Sequence, residues 1–202
     1  MLLASAYALH AQKQIFEKPN LKAEISTHKT VAILPFSVKI SYKKQPKNFS
    51  AEANAAQELK MSNSIQASMY TFLLRKSDKY SVGFQDVDKT NILLKKAGVY
   101  DKLDEMTKDE LAKILGVDAI ISGSFESEQS KSEGAAIATA VLFGGFGGKT
   151  GSGTLTMLLH NGNDGELLWR FFKTMDDNIS ASTDDLVESM MRKVSRNFPY
   201  LK

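Results

Sequence analysis

Between Thr107 and Phe125 the chain has little freedom in how it can fold. Thr107 and Glu110 have the spacing of a capping box, in which each side chain satisfies a backbone amide at a helix start. The helix opened there, Lys108 to Leu115, runs into Gly116, a residue that readily takes the left-handed backbone that stops a helix. Val117-Asp-Ala-Ile-Ile-Ser-Gly-Ser-Phe125 follows at once and reads as a strand. A helix that turns directly into an apolar strand must pack back on the sheet that strand joins, so helices and strands share one core.

The other segments extend this alternation. Thr30-Val-Ala-Ile-Leu-Pro-Phe36 has the length and composition of a buried strand ended by Pro35, and Val38 and Ile40 can extend it. The stretch from Ser41 to Phe49 reads as a solvated loop. Ser50 can cap a long helix to Arg75, with Leu59, Ile65, Met69, Phe72 and Leu73 on one apolar face. Tyr80 to Phe84 alternates as a second strand. Asp88 caps a short helix from Lys89 to Ala97, and Gly98 stops it. Residues 151–160 and 166–172 form a hairpin around Asn161-Gly-Asn-Asp-Gly165. Thr183 or Asp184 opens a last helix with Leu186, Met190, Val194 and Phe198 on its apolar face, supported by Glu188 four residues before Arg192 and closed by Pro199. The order β-α-β-α-α-β-β-β-α predicts an α/β (α+β) fold with a single mixed sheet and helices packed on it.

At 202 residues the chain suits one domain. Residues 1–11 are apolar and rich in small residues, with Leu9 and Ala11 at the −3 and −1 positions of a signal-peptide cleavage site. They are expected to be a signal-peptide remnant, followed by a polar leader over 12–29 and the domain over 30–202. No run approaches the roughly 20 apolar residues of a membrane-spanning helix. With no cysteine, disulfides, thiolate metal sites and an N-terminal lipid-anchor Cys are excluded. A net charge of +3 without a basic stripe gives no reason to expect a nucleic-acid partner.

Catalytic patterns fail one by one. Gly147-Gly-Lys-Thr150 has Phe143 where a phosphate-binding loop needs its first glycine, and a strand follows where the phosphates need a helix N-terminus. His10, His28 and His160 are not spaced as metal ligands, and His160 reads as a turn residue. Ser122-Gly-Ser124 lies on a strand and lacks the sharp turn of a nucleophile elbow. The acidic pairs, such as Asp109-Glu110 and Asp184-Asp185, sit at predicted helix starts, where negative charge favours the helix dipole. The expectation is no enzyme, no cofactor and no metal.

The surface features are more informative. Residues 134–148, within a glycine-rich apolar segment at 134–151, carry no charge, and as a strand they would be apolar on both faces. Such a strand is either central in a sheet or in contact with a partner chain or lipid. Val141, Leu142, Phe143 and Phe146 are the first candidate interface residues. Trp169 and Arg170 come second: Leu167, Trp169 and Phe171 share a face suited to the core, while Leu168, Arg170 and Phe172 share one that could meet a partner.

Val31-Ala-Ile-Leu-Pro-Phe36 leading into a long helix, and Glu110-Leu-Ala-Lys-Ile-Leu-Gly-Val-Asp-Ala-Ile-Ile-Ser-Gly-Ser124, resemble the superfamily of the curli secretion channel lipoprotein and the TolB N-terminal domain. That superfamily includes outer-membrane lipoprotein activators of peptidoglycan synthases and exopolysaccharide-export lipoproteins. Gly165-Glu-Leu-Leu-Trp-Arg170 and the final helix suit it too, so the resemblance covers 30–202. It implies a non-enzymatic periplasmic or outer-membrane accessory that binds proteins in the cell envelope and often forms homo-oligomeric rings for secretion, export or envelope assembly. Hairpins inserted in the curli channel form a transmembrane barrel, and 126–151 occupies a comparable place. The alternative is therefore an oligomeric outer-membrane pore with that segment as a membrane hairpin. Here the segment suffices for about one hairpin of 9–11-residue strands, and the lipid-anchor Cys of most members is absent.

Overall fold

A computed structural model describes residues 13–129, 153–175, 183–194 and 196–202. Its sheet is organised around β5 (Ala119–Gln129), the longest strand. On one side β5 pairs antiparallel with β6 (Gly153–Asn161), which pairs with β7 (Leu167–Met175), which pairs with β1 (Lys13–Glu17). On the other side it pairs in parallel with β2 (Thr30–Ile33) and then β3 (Ser37–Tyr42), and the two-residue β4 (Gly83–Phe84) closes that edge against β2. The result is a seven-stranded mixed sheet with helices packed on it, as the order of segments predicts.

β2 and β3 are two halves of one track along β5. Ile33 stands opposite Ile121 and Ser37 opposite Ser124, so three residues on this side face two on β5, as in a bulge. Pro35 has no amide to place in the ladder, and the bulge lets it be accommodated. Phe36 folds over Gly123, where any Cβ would collide with its ring and with the Thr156 carbonyl. Val38 and Ile40 thus belong to a separate strand that the sequence reading treated as a continuation, and Tyr42 lies on it as well.

α2 (Ala51–Leu74) and α5 (Thr183–Val194) cover one face. Ile65, Met69, Phe72 and Leu73 pack there with Val187, Met191 and Val194 against Met157, Leu159, Trp169 and Phe171. Ser50 caps α2 by accepting the Ala53 amide at 3.2 Å. Leu59, expected on the buried face, is 53% exposed, while Asn54 and Glu58 of the same stretch face β3. On the opposite face α3 (Val87–Lys96) and α4 (Lys108–Leu115) bury Leu94, Leu111 and Leu115 against Ala32, Leu34 and Ile120. The capping box on α4 and the left-handed Gly116 (φ 65°) form as expected. α3 starts two residues earlier than predicted, at Val87, with Asp86 and not Asp88 as its cap, accepting the Lys89 amide at 3.0 Å.

The stretch 12–29, read as a polar leader, supplies β1 and α1 (Leu21–Ile25). Leu21 and Ile25 are buried, and Lys18 bonds both Glu24 and Glu166, which fastens α1 to the start of β7. β5 reaches Gln129 in register with β3, so residues 126–129 are part of the sheet and not of an inserted hairpin. Residues 1–11, 134–148 and Lys149-Thr150 lie outside the described residues.

Candidate interaction surface

α3 and α4 cover the β2 side of their face, and α4 reaches across to the His160 end of β6. Further along, the registers of four strands place side chains in rows on the same face. Phe16 stands opposite Arg170, Arg170 opposite Leu158, and Leu158 opposite Ser122. The next row is Gln14, Phe172, Thr156 and Ser124. Along β6 the alternation is strict: Leu155, Met157 and Leu159 are buried in the core, and Thr154, Thr156 and Leu158 are half-buried on this side. Phe16 is 46% exposed, Arg170 is exposed, and the Arg170 guanidinium lies 5.8 Å from the Phe172 ring centroid. The surface combines two aromatic rings and an arginine, residue types enriched at protein contact surfaces.

The candidates predicted on β7 separate here. Trp169 is fully buried, stacked on Phe171 at 6.1 Å and edge-on to Phe198, so it holds the core and does not reach the surface. Arg170 does reach it. Leu168, expected beside Arg170, is also buried, because the ladder shifts register between Leu159 and His160 and turns one extra residue inward. Val141, Leu142, Phe143 and Phe146 lie outside the described residues. Near the ends of β5 and β6 that lead to them, Lys39, Ser41, Glu126, Glu128, Thr154 and Thr174 line a shallow groove of about 300 Å³. The sequence reading missed Phe16 and Gln14, since five residues with charged ends give too short an alternation to distinguish a strand from a loop.

A polar cleft of about 520 Å³ lies at the opposite end of these strands, among Glu24, His28, Asp118 and Asn161. Asp118 accepts the Lys29 and Thr30 amides at 2.8 Å each. Burial disfavours its charge, but those two bonds outweigh it and hold the carboxyl below its ordinary pKa. The His28 ring is bonded to the Tyr200 hydroxyl at 2.7 Å, and burial lowers the pKa of the histidine and raises that of the tyrosine. Gly162 closes the cleft with its amide on the Asp118 carbonyl at 2.8 Å, at an approach where a Cβ would come within 2.7 Å of that oxygen. These bonds join three strand ends. Among the described residues, no group of three His, Cys, Asp or Glu side chains could hold a metal ion.

No family model matches the chain, and no curated protein sequence matches it. Solved structures similar to it include the PelC dodecamer from Paraburkholderia phytofirmans, at 13% identity and TM-score 0.41, covering 96% of this chain and 99% of that one. A lipoprotein from Neisseria meningitidis is 12% identical, with TM-score 0.46 and coverage of 84% and 98%. The LpoB C-terminal domain from Salmonella enterica is 11% identical, with TM-score 0.36 and coverage of 77% and 92%.

Proposed function

We propose that this is a non-enzymatic accessory protein of the cell envelope that works by binding other proteins through the open face around Arg170. The observation that carries the reading is the half of this sheet face that no helix covers among the described residues, where Phe16, Arg170, Leu158 and Phe172 stand in adjacent rows. A sheet face with half-exposed aromatic rings is stable in water at a cost, and a partner that covers it removes that cost. The envelope location rests on the signal-like residues 1–11 and on the superfamily resemblance. Cleavage after Ala11 would leave every described element intact, since β1 starts at Lys13.

Two measurements test this together. Cell fractionation with N-terminal sequencing should recover a chain starting near Gln12 in the periplasm or with the outer membrane. A photo-crosslinking residue at Phe172 should give discrete adducts in living cells, whereas one at Ile92, exposed on α3, should not. An uncleaved cytosolic chain would refute the location. Equal adducts from both positions would refute the face.

A further inference from the structure

The two long sides of the sheet are finished differently. On the β3 side the outward backbone of Ile40 is occupied: its amide donates to Glu58 at 2.8 Å and its carbonyl accepts from Asn54 at 3.3 Å, both from α2. β1 forms the other side, and among the described residues it pairs with β7 alone. The Lys18 amide donates to Leu168, which fixes the phase: Gln14, Phe16 and Lys18 point their backbone groups at β7. Lys13, Ile15 and Glu17 therefore direct theirs away from the sheet, as a row of donors and acceptors with no strand partner among the described residues.

From this geometry we infer that the β1 edge is a self-recognition site, at which a second copy of the chain adds its own β1 antiparallel about a two-fold axis at Ile15. Charges on an edge strand usually repel a partner strand. In Lys13-Gln-Ile-Phe-Glu17 they are arranged to accept one specific partner, the same strand reversed. With Ile15 opposite Ile15 of the second copy, Lys13 stands opposite its Glu17, and Glu17 opposite its Lys13. Opposite charges in that cross-strand position attract, and residues 13, 15 and 17 are those whose backbone groups face outward. Sliding the register by two residues either way puts Ile15 opposite one of the two charges and leaves neither Lys13 nor Glu17 opposite the other.

A second observation favours the same partner. Within one copy Lys13 stands opposite Lys173, and Lys173 bears electrostatically on Lys193. Like charges directly across a ladder are unfavourable. Glu17 of the second copy would arrive at this positive end and relieve it. The axis is perpendicular to the sheet, so both open faces end on the same side of a sheet twice as wide. Each Phe16 then lies opposite Gln14 of the other copy. The inference stands on the edge alone and does not depend on the envelope reading.

Sedimentation velocity on the full chain should show a concentration-dependent dimer. Glu17→Lys should weaken it at least tenfold, and the charge-swapped double variant Lys13→Glu/Glu17→Lys should restore it, because the swapped pattern is again self-complementary. Ile15→Cys introduces the first cysteine into a cysteine-free chain. Under mild oxidation it should give a disulfide-linked dimer, since paired residues there would lie about 5.5 Å apart at Cα. Thermal melts of each variant exclude unfolding as the cause of any loss. A monomer at all concentrations with no cross-link would overturn the site, as would a dimer indifferent to Glu17→Lys or not restored by the swap.

Discussion

His160 sits at the boundary between the covered and uncovered parts of the sheet, opposite Ile120, with its Nδ1 buried and unpartnered among the described residues. Burial, and secondarily the charge of Lys108 nearby, push its pKa down to about 4 from 6.5. Between those two pH values the unfolded chain binds a proton that the folded chain refuses, so stability is full above pH 6.5 and falls as the pH drops towards 4. Allowing for solvent screening of a partly exposed ring, the loss is about 1–2 kcal/mol. His28 is shifted in the same direction and adds to it. Urea midpoints measured from pH 7.5 to 4 should show the decline, and His160→Leu should flatten part of it while raising stability at pH 5. An unchanged slope in that variant would remove His160 as a cause. The sequence reads this histidine as a turn residue, but it is the penultimate residue of β6, and its burial depends on α4 lying over the end of that strand, which neighbouring residues in sequence cannot reveal. Trp169 shows the converse: its core face was legible from alternation, whereas the inward turn of Leu168 came from a register shift with no local signal.

Elements with chemical end signals were the legible ones. α4 begins at a capping box and ends at a left-handed glycine, and both are where the residues put them. β3 had no such signal. Its burial pattern depends on α2, whose Asn54 and Glu58, one helical turn apart, take up the Ile40 carbonyl and amide and bond each other at 3.1 Å. Tyr42 adds its hydroxyl on Asn54 at 3.2 Å. Glu58→Ala should leave the Ile40 amide unsatisfied and cost about 1–2 kcal/mol. It should also open the β3 edge to pairing between molecules. Glu58→Gln keeps an acceptor oxygen and should lose less than half as much. Chemical denaturation gives the energies, and light scattering on heating gives the association. Equal losses for the two substitutions would mean that the charge, not the acceptor, matters at this site.

At the scale of the whole molecule, the open question is where the folded unit begins. Composition favours a start near Thr30, because only Ile15, Phe16, Leu21 and Ile25 interrupt the polar stretch before it. The structure gives three of these four a place in the core or packed against it: Leu21 and Ile25 are buried, and Ile15 packs beside them. Burying three such side chains contributes about 4–6 kcal/mol, and Lys18 adds a link from Glu24 to Glu166 that spans the sheet end. A chain starting at Lys29 should therefore melt about 10–15 °C below one starting at Gln12, taking 2–4 °C per kcal/mol for a protein this size. It should also lose the self-association assigned to β1, since that strand is gone. If the two chains melt together, residues 12–29 are a leader after all, and the sheet ends at β7. A lower melting point in a truncated chain that still dimerises would place the copy-to-copy contact elsewhere, without moving the start of the fold.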